Sequence, residues 1–73
     1  MSTIIPHGDT TPVAVRYTVA VNGNTWHVID GAGRDAKDRV TGYEIVKNGY
    51  VRHFCHNATL ADAIAFCNEK AAL

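Results

Sequence analysis

The sequence predicts a small α+β domain, in which an antiparallel sheet of about four strands carries one C-terminal helix packed on one face. Two runs of alternating apolar and polar residues each contain an Asn-Gly pair, which favours a tight turn between two strands. The C-terminal stretch instead repeats apolar residues at helical spacing. Two hairpins followed by one helix give this fold class.

The first predicted hairpin is VAVRYTVAVNGNTWHVID, with Asn-Gly at the turn. Both turn residues tolerate positive φ, which two-residue hairpin turns require. With this turn, Val19 faces Trp26 and Tyr17 faces Val28 as cross-strand pairs, so one face is apolar. The opposite face should be polar, and it carries Arg16, Thr18, Thr25 and His27.

The second predicted hairpin, GYEIVKNGYVRHFCHN, allows two registers. A two-residue turn pairs Val46 with Val51. A three-residue turn instead pairs Ile45 with Val51 and sets Glu44 opposite Arg52. We prefer the three-residue turn because it forms an opposite-charge pair, whereas the two-residue turn sets Ile45 against Arg52.

The preferred register divides this hairpin between two faces. The inward face, beneath the helix, should carry Tyr43, Ile45, Val51, His53 and Cys55. The outward face should carry Val46, Tyr50, Arg52 and Phe54. Tyr and Arg are among the residues that most often dominate the binding energy of protein interfaces. The outward set is therefore the predicted protein interface.

The C-terminal helix begins at a predicted capping box. Thr59 is followed three residues later by Asp62, which stands in place of the usual Glu or Gln. The alanine-rich stretch that follows propagates a helix well. Its apolar stripe, which should cover the sheet, consists of Leu60, Ile64, Cys67 and Ala71.

A chain of 73 residues supports one domain with a thin core. The polar stretch 1–12, which contains two prolines, predicts a flexible N-terminal arm ahead of a single domain at 13–73. A thin core leaves apolar sheet surface that a second copy could cover, which predicts a homodimer. The sequence shows neither a secretory-signal pattern nor a membrane-spanning run, and a cytoplasmic location is expected.

Soft side chains cluster in the stretch VRHFCHN, where His53, Cys55 and His56 occupy four positions. His53 and Cys55 fall on one strand face and His56 on the other, so they do not form a closed tetrahedral ligand set. Cys67 should lie level with His53 rather than Cys55, too far from Cys55 for a disulfide. We predict no metal, no cofactor and no catalytic residue, with both cysteines acting as small apolar side chains.

Between the hairpins, GAGRDAKDRVTG predicts a solvated loop in which five of the six residues 34–39 are charged. The glycines lack the strand-to-helix setting of a phosphate-binding loop. Basic residues here could contact nucleic acid together with Arg16 and Arg52, and the candidates are Arg34, Lys37 and Arg39. Seven basic residues balance seven acidic ones over the whole chain, which disfavours binding driven by phosphate charge.

The stretch NGYVRHFCHNATLADAIAF, a strand hairpin running into a short Thr-x-x-Asp-Ala helix, resembles the arm-binding domains of tyrosine recombinases. It is also similar to several small viral or plasmid accessory proteins with one helix on a sheet. In the arm-binding family the sheet is basic and enters a DNA groove, whereas this chain is neutral overall. The resemblance assigns no functional residue.

The expected function is a non-enzymatic protein-binding module. Mobile elements such as phages and plasmids use modules of this size to block a larger host machine, and anti-CRISPR-like inhibitors belong to this class. The alternative is a nucleic-acid-binding accessory protein. The expected absence of a membrane segment and of a cofactor is common to both.

Overall fold

The computed structural model describes residues 15–73, which form one antiparallel sheet and one helix. The strands are β1 (Val15–Val21), β2 (Asn24–Asp30), β3 (Tyr43–Lys47) and β4 (Tyr50–Cys55), and the helix α1 is Leu60–Ala71. The strands lie side by side in chain order, so β1 and β4 form the two edges. This confirms the predicted fold class. The arm predicted at 1–12 lies outside the described residues.

The first hairpin has the predicted register. Its Asn-Gly turn has φ values of 54° and 80°, as a two-residue turn requires. Val19 lies opposite Trp26 and Tyr17 opposite Val28. The register shifts only beyond Tyr17, at the end of the hairpin farthest from the turn.

The turn of the second hairpin differs from the prediction. Asn48 and Gly49 have φ values of 52° and 88°, so both occupy a two-residue turn, and Val46 lies opposite Val51. The predicted three-residue turn is wrong. Two successive residues that tolerate positive φ give a turn whose twist matches the flanking strands, and this outweighs one exposed charge pair.

A bulge then changes the pairing farther along the same hairpin. The register shifts after the Val46 pair, so Ile45 lies opposite His53 and Arg52 is the extra residue of β4. The predicted pairs of Ile45 with Val51 and of Glu44 with Arg52 are therefore wrong. The bulge also removes the objection to the two-residue turn, because Ile45 no longer faces a charged side chain.

Cross-strand pairing sorts the side chains onto two faces of the sheet. We call the face under α1 the helix face and the opposite one the far face. The core between the helix face and α1 consists of Trp26, Val28, Tyr43, Ile45, Ala63, Cys67 and Ala71. Two rows of paired residues from β2, β3 and β4 cross the far face, namely Ile29, Glu44 and Phe54, and His27, Val46 and Val51.

Helix α1 begins at the predicted capping box. The Asp62 backbone N–H donates to Thr59 Oγ1 at 3.1 Å, and the Thr59 N–H donates to the Asp62 carboxylate at 3.4 Å. The Tyr17 hydroxyl donates to Asn68 Oδ1 at 2.8 Å, which ties α1 to β1.

Within residues 15–73, no helix has the length and apolar character needed to cross a membrane.

Candidate functional site

Edge strand β4 carries three exposed large apolar side chains. Tyr50 is 75% exposed, Phe54 60% and Val51 45%. β4 pairs with β3 on one side only, so one side of its backbone has no strand neighbour among residues 15–73. An apolar edge of this kind is a place where another chain can add a strand or pack side chains.

The predicted interface residues are divided between the two faces. Phe54 lies on the far face as predicted, and Val46 shares that face but is only 2% exposed, so its side chain is buried. Tyr50 lies opposite Lys47, whose ammonium is 5.5 Å from the centre of the Trp26 ring. Because Trp26 belongs to the core under α1, this register places Tyr50 on the helix face, which corrects the predicted outward position.

Val51 and Arg52 are both exposed residues of β4. Val51 was predicted to lie inward, but it lies opposite Val46 on the far face and is exposed. The preferred three-residue turn paired Val51 with Ile45, whereas the less preferred two-residue turn paired it with Val46, as the structure does. Arg52 is exposed, as the outward assignment required, and it is the extra residue of the bulge.

A groove with a volume of about 360 Å³ opens at the end of the sheet beside Phe54. One wall is the loop segment Gly31–Gly33 with Gly42, and the other is formed by the end of β4 and the residues after it. Glu44 also lines the groove and is half-buried. Ligand pockets in proteins have volumes of about 300–1,000 Å³, so this groove lies near the lower end of that range.

The glycines let the loop close tightly enough to form this wall. The Gly31 N–H donates to the Gly42 oxygen at 2.8 Å, and a Cβ on Gly31 would lie 3.1 Å from that same oxygen. A Cβ on Gly33 would lie 3.1 Å from the Thr41 hydroxyl oxygen. The sequence predicted a solvated loop here. No short sequence pattern predicted that residues 31–33 would approach residues 41–42 so closely.

An aromatic pair forms the other wall. The rings of Phe54 and His56 are stacked, with centroids 6.1 Å apart and planes 13° apart. Phe54 lies directly opposite Glu44 in the sheet. The groove therefore places a carboxylate beside a stacked, partly exposed aromatic surface.

The basic residues proposed for nucleic-acid binding make contacts inside the loop. Arg34 Nη1 donates to the carbonyl oxygens of Gly31 and Gly33 at 2.7 and 2.9 Å. Arg39 Nε lies 2.8 Å from the Asp35 carboxylate. Lys37 is exposed. Two of the three candidate cations are thus held by partners within their own loop.

Asp35 organises this loop through its carboxylate. The backbone N–H of Arg39 donates to it at 2.9 Å and that of Lys37 at 2.8 Å. The bond from the Arg39 backbone, followed by the Lys37 backbone and the Arg39 side chain, lowers the pKa of Asp35 below its usual 3.8, although partial desolvation opposes the shift. At neutral pH the carboxylate is charged and holds the loop.

The cysteines and His53 have the environment of packing residues. Cys55 and Cys67 are free thiols, and burial raises the pKa of both, with the Asp62 carboxylate adding to the shift at Cys55. A thiol with a raised pKa is a poor nucleophile at neutral pH. His53 packs edge-on against Phe66, with ring centroids 5.4 Å apart. Among residues 15–73, no three His, Cys, Asp or Glu side chains converge as metal ligands would.

Comparison with known proteins gives no match: no family model matches the chain, and neither a curated protein nor a solved structure matches it.

Proposed function

We propose that this chain is a non-enzymatic protein-binding module whose contact surface is edge strand β4. The observation that carries this proposal is the exposure of three large apolar side chains on one edge strand, at Tyr50, Val51 and Phe54. Apolar surface concentrated in this way favours a partner that covers it. Aromatic side chains add large contact area at little cost in conformational entropy.

The arrangement of β4 supports contact from both faces of the sheet. Tyr50 lies on the helix face, whereas Val51 and Phe54 lie on the far face. A partner that adds a strand along β4 would therefore contact apolar side chains above and below the backbone. The bulge at Arg52 interrupts the regular spacing of backbone donors and acceptors, so an added strand would pair on either side of it.

A narrower form of the proposal is stoichiometric inhibition. The chain is 7.9 kDa, and in this form of the proposal it acts by covering a functional surface of a larger machine. A phage- or plasmid-encoded inhibitor of the anti-CRISPR type is the form we propose to test first. One molar equivalent of the chain should reduce target-DNA cleavage by a CRISPR effector complex, and undiminished cleavage by the effectors tested would contradict this form.

Self-association through the same strand belongs to this proposal. A second copy could cover the exposed apolar side chains of β4 in a twofold dimer. Light scattering coupled to gel filtration measures this directly. A mass near 7.9 kDa over a wide range of concentrations would exclude the dimer.

The main experiment compares the proteins that wild type and two β4 variants capture from a lysate. Tyr50→Ala and Val51→Ala should each weaken binding by about 2 kcal/mol or more, which is the usual threshold for a dominant interface residue. The thermal midpoint of both variants should stay near that of wild type, because both side chains are exposed. Glu69→Ala, which alters an exposed residue of α1 away from β4, is the matched control.

Equal capture by wild type and both β4 variants would contradict the proposal.

A salt titration separates protein binding at β4 from the nucleic-acid alternative. Binding that depends on phosphate contacts weakens steeply as salt increases, whereas an apolar interface at β4 changes little. A bound nucleic acid that is released by salt and by changes at Arg34, Lys37 and Arg39 would favour the alternative.

A further inference from the structure

The groove beside β4 contains a carboxylate with no ion-pair partner in the described part of the chain. Two ion pairs occur within residues 15–73, Arg16 with Asp30 and Arg39 with Asp35, and neither includes Glu44. Glu44 is half-buried, and a carboxylate that has no cation partner among residues 15–73 favours an incoming positive charge and repels an anion such as a phosphate.

The aromatic side chains that line the groove, Phe54 and His56, favour one kind of cation over another. A planar guanidinium stacks on aromatic rings and offers paired N–H donors to a carboxylate, whereas an ammonium is a compact point charge with a strongly held hydration shell. Phe54, which is stacked on His56, lies directly opposite Glu44 and is 60% exposed. A guanidinium that contacts the Phe54 ring can therefore reach the Glu44 carboxylate.

The groove also has the size and position for one side chain of a bound protein. Its volume of about 360 Å³ accommodates an arginine side chain together with water. It opens beside Phe54, so it is continuous with the exposed surface of β4. A segment of a partner lying along β4 could insert one residue into the groove without leaving the strand.

We propose that this groove binds an arginine side chain of the protein partner, with Glu44 accepting hydrogen bonds from the guanidinium and Phe54 stacking against it. This inference rests on the proposed function, because it names a residue type that the partner of β4 presents. It adds a polar, charge-specific contact to an otherwise apolar surface. Such a contact favours one partner over others of similar apolar character.

The test uses small probes and the whole chain, so it does not require the partner. Nα-acetyl-arginine amide is titrated into isotope-labelled protein at low salt, and the backbone amide shifts are followed by NMR. The amides of Gly31, Gly33 and Phe54 should move along saturable curves. The citrulline analogue, which has the same shape without the charge, should produce no saturable shift, and the lysine analogue should bind more weakly than arginine.

Two variants test whether Glu44 is the carboxylate that binds arginine. Glu44→Gln keeps the shape of the side chain and should weaken arginine binding at least about tenfold, the usual effect of losing a charge-assisted hydrogen bond. Glu69→Gln removes an exposed helix carboxylate elsewhere and should leave the binding unchanged. Equal binding of arginine and citrulline, or wild-type affinity in Glu44→Gln, would overturn the inference, as would shifts that map outside the groove.

Failure of this inference is distinguishable from failure of the proposed function. Partner capture that is lost in Val51→Ala but retained in Glu44→Gln overturns the arginine site and leaves β4 as the interface. Capture retained in both β4 variants contradicts the proposal that β4 is the interface. The arginine titration by itself then decides whether the groove binds arginine. Capture lost in Val51→Ala and weakened about tenfold or more in Glu44→Gln supports both.

Discussion

The two hairpins share an Asn-Gly turn with positive φ at both residues, but they differ in where a bulge interrupts their pairing. In the first hairpin the shift lies beyond Tyr17, five pairs from the turn. In the second it follows the Val46 pair, only two pairs from the turn. A bulge near the turn changes the face of the three β4 residues beyond it, His53 to Cys55, and so places Phe54 on the far face together with Val51.

The two turns also differ in what their asparagines contact. Asn48 Oδ1 accepts from the Thr25 N–H at 2.9 Å, and Asn48 Nδ2 donates to Asn24 Oδ1 at 2.8 Å. Within residues 15–73 no side-chain hydrogen bond is made by Asn22. The second turn is therefore held against the start of β2, whereas the first turn depends on its own backbone geometry.

The largest expected effect tests the register of the second hairpin. Ile45→Ala should cost about 2–5 kcal/mol of unfolding free energy, because Ile45 is fully buried under α1. Val51→Ala should cost less than about 1 kcal/mol, because Val51 is exposed on the far face. Chemical denaturation of both variants measures the difference. Equal costs would mean that Val51 lies under the helix and that the three-residue turn is present after all.

The next prediction concerns the two asparagines. Asn48→Gly and Asn22→Gly both keep a residue that adopts positive φ at no steric cost, so their difference reports the side-chain hydrogen bonds of Asn48. Asn48→Gly should be about 1–2 kcal/mol less stable than Asn22→Gly. Denaturant titrations measured side by side give this difference. Identical stabilities would show that the contacts between Asn48 and β2 contribute nothing measurable.

The turn glycines should behave alike. Gly23 and Gly49 have φ values of 80° and 88°, and a Cβ at either position would have no atom within 4 Å. Replacement by Ala should therefore cost about 1 kcal/mol at each turn, through backbone strain alone. Thermal unfolding in a common buffer compares the two. A markedly larger cost at Gly49 would indicate that the second turn is less able to adjust, because Asn48 holds it to β2.

The smallest expected effect concerns the loop that joins the two hairpins. The pKa of Asp35 is lowered in the folded chain, chiefly by the Arg39 backbone N–H, so its contribution to stability is present above the usual value of 3.8. That contribution is lost as the pH falls through the lowered pKa. An NMR titration of the Asp35 carboxyl should give a midpoint below 3.8, and Asp35→Asn should flatten the pH dependence of stability in this range. A midpoint at or above 3.8 would contradict the loop geometry.

The candidate site was predictable only in part. Alternation along β4 identified Phe54 and Arg52 as outward residues, and both are exposed. The same alternation misplaced Tyr50 and Val51, because a bulge breaks the period of two on which it depends. The groove with Glu44 was not predicted, since its walls come from segments that are separate in the sequence.

The sequence by itself determined the elements whose signals are local. Asn-Gly pairs specify tight turns, Thr59 and Asp62 form a capping box three residues apart, and the stripe on α1 repeats every helical turn. Only the tertiary structure decided the bulge at Arg52, the approach of Gly31 to Gly42 and the partly exposed surface around Glu44. Each of these features depends on free energies summed over contacts between segments that are distant in the sequence. The main contacts are the burial of Ile45 under α1 and the pairing of β3 with two neighbouring strands. No short stretch of sequence contains both partners of such a contact.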